Sequence, residues 1–216
     1  MDPELDSLVL RLRARDADAI AEVYARFHRR LFRFLAKLSG QHALAEDLFQ
    51  ETWLCVARDA SRLREGSDLE AWLFAVARNR YRSHRRASYF DLRRLLGLGR
   101  EPVEVVPSHE GEVEARQRGQ RAQAAFASLS PAFREVLLLS IDEGLPAAQV
   151  GAALGLTPEA VRQRVHRARQ ALAEVLRTEA LRAGEPETYT AVQRGTVERG
   201  AAASEGAAGL AERNKR

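Results

Sequence analysis

Across 216 residues the chain has one cysteine, one methionine, two tryptophans and only two lysines, and aromatic side chains make up 6% of it. A lone thiol, Cys55, excludes an intramolecular disulfide and a cysteine-based zinc cluster. It falls near the apolar side of a helical pattern and reads as a small core residue rather than a nucleophile. No apolar run approaches the roughly 20 residues of a membrane helix, and no apolar leader opens the sequence, so a soluble, cytoplasmic protein without membrane insertion is expected. No glycine-rich phosphate loop appears. His42 and Glu46, like Asp47 and Glu51, stand four apart on one helix face, a spacing that serves a metal or an acid–base pair. No other His or Cys lies near in sequence to complete such a site. The expectation is no catalytic residue, no metal, no cofactor and no enzyme, with His28, His42 and His84 as surface or helix-end histidines.

What the chain does have is arginine. Of 34 basic residues only Lys37 and Lys215 are lysines, and with 30 acidic residues the net charge is +4. The isoelectric point is about 9.7. Arginine's planar fork binds phosphates and guanine edges bidentately, which a point-charge lysine does not. A GC-rich genome would favour arginine everywhere, so position has to decide.

The stretch from Ala45 to Arg86 places it. Ala45, Leu48, Phe49, Trp53, Val56 and Ala57 recur at three- and four-residue steps, the apolar face of one helix. Glu46, Asp47, Gln50 and Glu51 fall mostly on its other side. Leu69, Trp72, Leu73, Val76 and Ala77 form the face of a second helix. That helix runs into Arg78, Asn79, Arg80, Tyr81, Arg82, Ser83, His84, Arg85 and Arg86. An acidic face suits a basic protein partner; a dense cationic, hydrogen-bonding face suits phosphates and bases. Between the helices, Gly66, Ser67 and Asp68 predict a turn and a new cap.

Two helices precede this pair. Asp2-Pro3-Glu4 reads as a helix start, followed by a stripe of Leu5, Leu8, Val9 and Leu12. A second helix is predicted from about Asp16–Asp18 to Ser39-Gly40, with Ile20, Val23, Tyr24, Phe27, Leu31, Phe34, Leu35 and Leu38 inward. Arg26, Arg29, Arg30 and Arg33 lie opposite and are expected to form a solvated face. Four helices within residues 1–86 can bury one another's stripes. The fold class is therefore all-α, with two small helical domains.

Residues 87–113 lose the pattern at Gly97, Gly99, Pro102, Pro107 and Gly111 and turn acidic, which predicts a flexible linker. Tyr89, Phe90, Leu92, Leu95 and Leu96 allow a short helical extension before it. Fully extended, such a linker reaches roughly 90 Å, so the domains it joins could touch one duplex about two turns apart. Residues 114–182 form the second domain, and 183–216, rich in Gly, Ala, Glu, Thr and Arg, are expected to be a disordered tail.

The second domain carries the sharper pattern. Ala124, Ala125 and Leu129 precede Ser130-Pro131, a cap and first-turn proline, then Phe133, Val136, Leu137 and Leu138. Next comes LPAAQVGAALGLTPEAVRQRVHRARQALAEVL. Pro146 starts a helix whose inner side is Val150, Ala153 and Leu154. Gly155 is placed for a left-handed turn, Leu156 plugs the corner, and Thr157 caps the next helix with Pro158 in its first turn. Val161, Val165, Ala168 and Leu172 face inward while Arg162, Gln163, Arg164, His166, Arg167 and Arg169 ring the rest. This is a helix-turn-helix pattern with a cationic second helix suited to the major groove.

Together the halves resemble the extracytoplasmic-function (ECF) subfamily of bacterial sigma-70 factors. The residues that carry the likeness are Ala45 to Leu54, the run Ala71-Trp72-Leu73 to Ala77-Arg78-Asn79, Arg85-Arg86, Leu129-Ser130-Pro131, Arg134 to Leu137 and Val161 to Arg169. It covers about residues 16–86 and 120–178. The resemblance implies a factor that binds core RNA polymerase, through the β′ coiled coil and the β subunit, and directs it to promoter DNA. It places Glu46, Asp47, Gln50 and Glu51 on the coiled coil. It assigns Trp72, Asn79, Arg80, Arg82, Ser83, Arg85 and Arg86 to reading and melting the −10 element, and likens Ser61 to Asp68 to the loop that receives a flipped base. Thr157, Glu159, Ala160, Arg162, Gln163, Arg164, His166, Arg167 and Arg169 fall to the −35 element. An anti-sigma factor is a common partner of the family; no residue here identifies one. Ser83, where the family often has an acid, and Glu159-Ala160, where it often has Gly-Thr, bear on which promoter is read. A rival, a stand-alone helix-turn-helix regulator, would explain the second domain and leave Ala45 to Arg86 unexplained.

Overall fold

The structure is a computed structural model that describes residues 3–96 and 113–182, with side chains over 3–88 and 121–181. The linker residues 97–112 and the tail 183–216 lie outside the described residues, as does Asp2. Helices and helical turns are the only regular elements among the described residues. Residues up to Leu172 belong to one compact unit, and Ala173 onward to a second.

Helix α1 (Pro3–Arg13) turns through Arg15, a non-glycine residue at φ 60°, into α2 (Ala17–Ser39). Asp16 caps α2 by accepting the Asp18 N–H at 2.9 Å, and Gly40 closes it in the left-handed conformation. Helix α3 (His42–Asp59) runs into a 3₁₀ turn, and α4 (Leu69–Leu96) begins where Asp68 accepts the Ala71 N–H at 2.9 Å. The helical extension expected after Arg86 is continuous with α4, whose described span reaches Leu96.

Leu8, Leu12, Phe27, Leu31, Phe34, Leu35, Leu48 and Leu73 are fully buried together. Phe74, off the expected stripe, is equally buried and meets Phe34 edge to face at 5.3 Å. Ala57 and Tyr24, expected inward, are exposed. Tyr24 instead lies on a partly exposed aromatic strip with His28, Trp53 and Phe49.

In the second half α5 (Val113–Ser128) is followed by α6 (Pro131–Leu137), capped by Ser130 with Pro131 in its first turn. Helix α6 then widens into a π turn over Leu138–Asp142, where the Glu143 N–H reaches back to the Leu138 carbonyl at 2.9 Å. Helices α7 (Ala147–Leu154) and α8 (Pro158–Arg182) complete the half.

The two halves pack on each other: α7 lies against α4, and α6 and the π turn lie against α2. Arg78 of α4 donates to Glu135 of α6 at 2.7 Å, with the two side chains only 10% and 4% exposed. Arg134 reaches the Leu38 carbonyl at 3.2 Å and the Tyr81 hydroxyl at 3.3 Å. Outside this buried pair, Glu143 accepts from Arg30 (2.8 Å) and Arg33 (2.9 Å), and Lys37 meets Asp142 at 2.5 Å. Arg30 also pairs with Glu70, and Arg26 with Glu4. The solvated face expected on α2 is therefore in large part a charged seam. Unpaired cations cost little on a surface, but here two acids of the second half, Asp142 and Glu143, lie opposite them.

Candidate functional site

Three surfaces carry the predicted site residues. On α3, Glu46, Asp47, Gln50 and Glu51 are all exposed, since Ala45, Leu48 and Thr52 turn the other side of the helix into the core. His42 stands 3.5 Å from Glu46. Leu54, inside the run Ala45 to Leu54 but given no contact role by the sequence, is 72% exposed. Its spacing of three from Glu51 and four from Gln50 was the available signal, because such residues are neighbours on a helix surface. An acidic patch edged by a bare leucine can take a basic partner with an apolar contact at its border.

On α4, Asn79, Arg82 and Arg86 are exposed, while Trp72, Arg80, Ser83 and Arg85 are half-buried. Arg86 donates to Ser83 at 3.3 Å, and the Arg85 guanidinium lies 5.7 Å from the Tyr81 ring centre. Helix α4 thus presents a mixed cationic and amide face on one side. Its other side, through Arg78 and Tyr81, is occupied by the second half of the chain. The loop ahead of α4 is held by Ser67, whose hydroxyl accepts the Arg64 N–H at 3.1 Å and whose own N–H returns to the Arg64 carbonyl at 3.1 Å. Nearby, Asp59 is held below the ordinary carboxylate range, chiefly by its hydrogen bond from Arg58, with the charges of Arg62 and Arg80 adding to it.

The third surface is the helix-turn-helix. Gly155 takes φ 70° at the end of α7, a conformation that a side chain would strain. Thr157 caps α8 by accepting the Ala160 N–H at 3.2 Å. Gly151, not singled out from the sequence, lets the chains cross: a Cβ there would stand 2.6 Å from the Leu156 carbonyl oxygen. Val161 and Ala168 are buried, and Val165 and Leu172 pack beside them. This leaves Thr157, Glu159, Arg162, Gln163, His166 and Arg167 exposed, and Ala160, Arg164 and Arg169 half-buried. Glu159 accepts from Arg162 at 2.6 Å and lies within 3.5 Å of the Gln163 amide. The Arg162 bond is the main reason its carboxyl sits below the ordinary range. That bond uses the inner edge of the guanidinium, through Nε and one Nη, so the outer fork is free to face a base.

Among the described residues no group of three or more His, Cys, Asp or Glu could hold a metal ion, and no described helix is long and apolar enough to cross a membrane. The arrangement is that of a binder with one acidic face and two cationic ones.

Residues 23–89 match the family model described as sigma-70 region 2, and residues 119–172 that of sigma-70 region 4. The chain is 36% identical over 156 residues to the ECF RNA polymerase sigma factor SigE of Mycolicibacterium smegmatis, covering 68% of this chain and 57% of that one. It is 32% identical over 160 residues to the RNA polymerase sigma factor CarQ of Myxococcus xanthus, covering 74% and 90%. In structure it is similar to the sigma factor RpoE of Bartonella quintana, solved with the anti-sigma factor NepR. That likeness has a TM-score of 0.62 at 29% identity and covers 73% of this chain and 96% of RpoE. CnrH, solved with the cytosolic domain of CnrY, shares the fold at a TM-score of 0.60 and 22% identity.

Proposed function

The chain belongs to the ECF group of the sigma-70 family, and we propose from this premise that it seats itself on core RNA polymerase through α3 and reads two promoter elements through α4 and α8. Glu46, Asp47, Gln50 and Glu51 supply the contact to the β′ coiled coil, where an exposed carboxylate row fixes register against basic residues. Trp72, Asn79, Arg80, Arg82, Ser83, Arg85 and Arg86 engage the −10 element. In α8, Arg162, Gln163 and Arg164 meet base edges, and Arg167 and Arg169 meet phosphates. Residues 1–86 and 114–182 are the two working domains, 87–113 the tether and 183–216 a tail without an assigned role. The protein acts by recruitment in the cytoplasm and catalyses no reaction of its own.

The observation that carries this reading is the pairing, on one chain, of a region 2 domain with four exposed acid and amide residues on α3 and a region 4 domain whose capped α8 leaves Arg162, Gln163 and His166 exposed. A stand-alone regulator needs only the second. The test is capture of purified core RNA polymerase, followed by transcription from a genomic fragment library. Binding with new start sites that share two upstream elements supports the reading. A folded protein that ignores core polymerase and instead binds an isolated palindrome as a dimer overturns it.

A further inference from the structure

We propose that Glu159 is a positioning residue for reading the −35 element: its carboxylate grips the inner edge of Arg162 and turns the Gln163 amide, so that α8 meets DNA with its guanidinium already aimed at a guanine. The inference rests on the function proposed above. Its distinct content is that Glu159 contributes to base choice without touching a base.

The geometry starts from the cap. Thr157 accepts the Ala160 N–H at 3.2 Å and Pro158 opens α8, which fixes Glu159 in the first turn of the helix. The helix dipole favours a carboxylate there, and the residues three and four positions on are its surface neighbours. Those are Arg162 and Gln163. Arg162 donates from both Nε (3.1 Å) and Nη2 (2.6 Å) to the same oxygen, Oε2. Gripping the guanidinium by one whole edge fixes its plane as well as its place. The Nη1 group and the second Nη2 hydrogen are left on the far edge, the fork that matches guanine O6 and N7. The other carboxylate oxygen, Oε1, lies 3.5 Å from Gln163 Nε2. A carboxylate only accepts, so it draws the amide nitrogen inward and leaves the amide oxygen toward an amino-bearing base edge.

The pair serves reading rather than stability. Both side chains are 62% exposed, and an exposed pair of this kind adds little to folding. A free arginine gives up much rotamer freedom when it docks; one already held by its inner edge has less to lose. The carboxylate is also an anion on the face of α8 that meets DNA. It holds down attraction to phosphates in general while it sharpens the aim of one arginine at a base. The net effect is discrimination rather than affinity.

The test uses the full chain assembled with core RNA polymerase and a duplex library randomised through the −35 region. Bound duplexes are sequenced for the unaltered chain, Arg162→Ala, Glu159→Ala, Glu159→Gln and the double variant Glu159→Ala, Arg162→Ala. Arg162→Ala should lose about five- to hundredfold of the preference for guanine at one position, the worth of a bidentate base contact. At that position Glu159→Ala should lose about three- to tenfold, within the range of coupling in one hydrogen-bond network, and nothing further once Arg162 is gone. Glu159→Gln keeps a neutral acceptor at the same reach and should fall between the unaltered chain and Glu159→Ala. Affinity for unselected duplexes should rise with Glu159→Ala as a negative charge leaves the interface, which a merely structural role would not produce. A guanine preference unchanged by Glu159→Ala, or reduced by the same factor with and without Arg162, overturns the inference. So does a lost preference for cytosine in both backgrounds, which would make Glu159 itself the reader of an amino group. A parallel fall in melting temperature and in affinity for every duplex overturns it as helix damage. If the unaltered chain ignores core polymerase or selects no −35 sequence, the proposed function falls, and this inference with it.

Discussion

Replacing Gly151 by alanine should destabilise the second half, against the usual direction for a helical glycine. At an unstrained helical position the change stabilises by about 0.4–1 kcal/mol, because alanine loses less backbone entropy on folding. Here the new Cβ would lie 2.6 Å from the Leu156 carbonyl oxygen, and the neighbour must retreat by about 0.4 Å to reach even the 3.0 Å floor of real contacts. That oxygen is backbone, in the turn between α7 and α8. The turn is tied to α7 by the Leu156 N–H, which donates to the Gly151 carbonyl at 2.9 Å. Relief means prising the helices apart. Forcing a methyl into such a site costs about 1–3 kcal/mol; the propensity gain of up to about 1 kcal/mol offsets part of it. The net loss is about 1–2 kcal/mol, or a melting temperature lower by about 2–8 °C for a chain of this size. Thermal unfolding followed by circular dichroism measures it, with Ala152→Gly, one position on and exposed, as the control for propensity alone. The substitution should also re-aim α8 and weaken −35 binding by more than the stability loss explains. A melting temperature equal to or above that of the unaltered protein would refute the close-approach argument.

Other perturbations test the remaining links. Glu135→Ala leaves Arg78 without its partner in a nearly dry site and should cost about 3–5 kcal/mol unless the halves separate; adding Arg78→Met should recover most of it, which a double-mutant cycle in urea would show. Asp16 has its carboxyl pKa lowered, first by the Arg11 hydrogen bond. Its contribution to stability is therefore present above the ordinary aspartate pKa and is lost as pH falls through the depressed value, so Asp16→Asn should flatten the acid limb of a melting-temperature profile below about pH 4. Reversing charge at Glu46, Asp47 and Glu51 should weaken capture of core polymerase without altering helicity. Arg164→Ala should cost about 1–3 kcal/mol at the preferred −35 sequence if it contacts a base; equal activity at every sequence tested would assign it to phosphate.

What the sequence reveals, and what it hides, divides along contact range. The helix-turn-helix was legible down to Gly155, Thr157 and Pro158 because caps and left-handed turns depend on residues within a few positions of one another. The four α3 acids and amides were legible because helical period fixes a face once its apolar side is known. Phe74 was not, since α4 is buried on two sides at that level and a one-stripe pattern omits it. The π turn has no sequence signature in residues 138–142 that sets it apart from more α-helix. Arg30 and Arg33 read as solvated because their acceptor, Glu143, lies 110 or more residues away in sequence. No periodicity encodes such a partner.

The buried pair constrains how this chain can change over generations. Arg78 and Glu135 sit on opposite sides of the tether, 57 residues apart, one in each half of the chain. Recombination that imports only one half from a relative lacking the pair leaves a stranded charge at the join. The two positions should therefore be inherited or lost together, and a working chimera will need either both members of the pair or a neutral replacement for each.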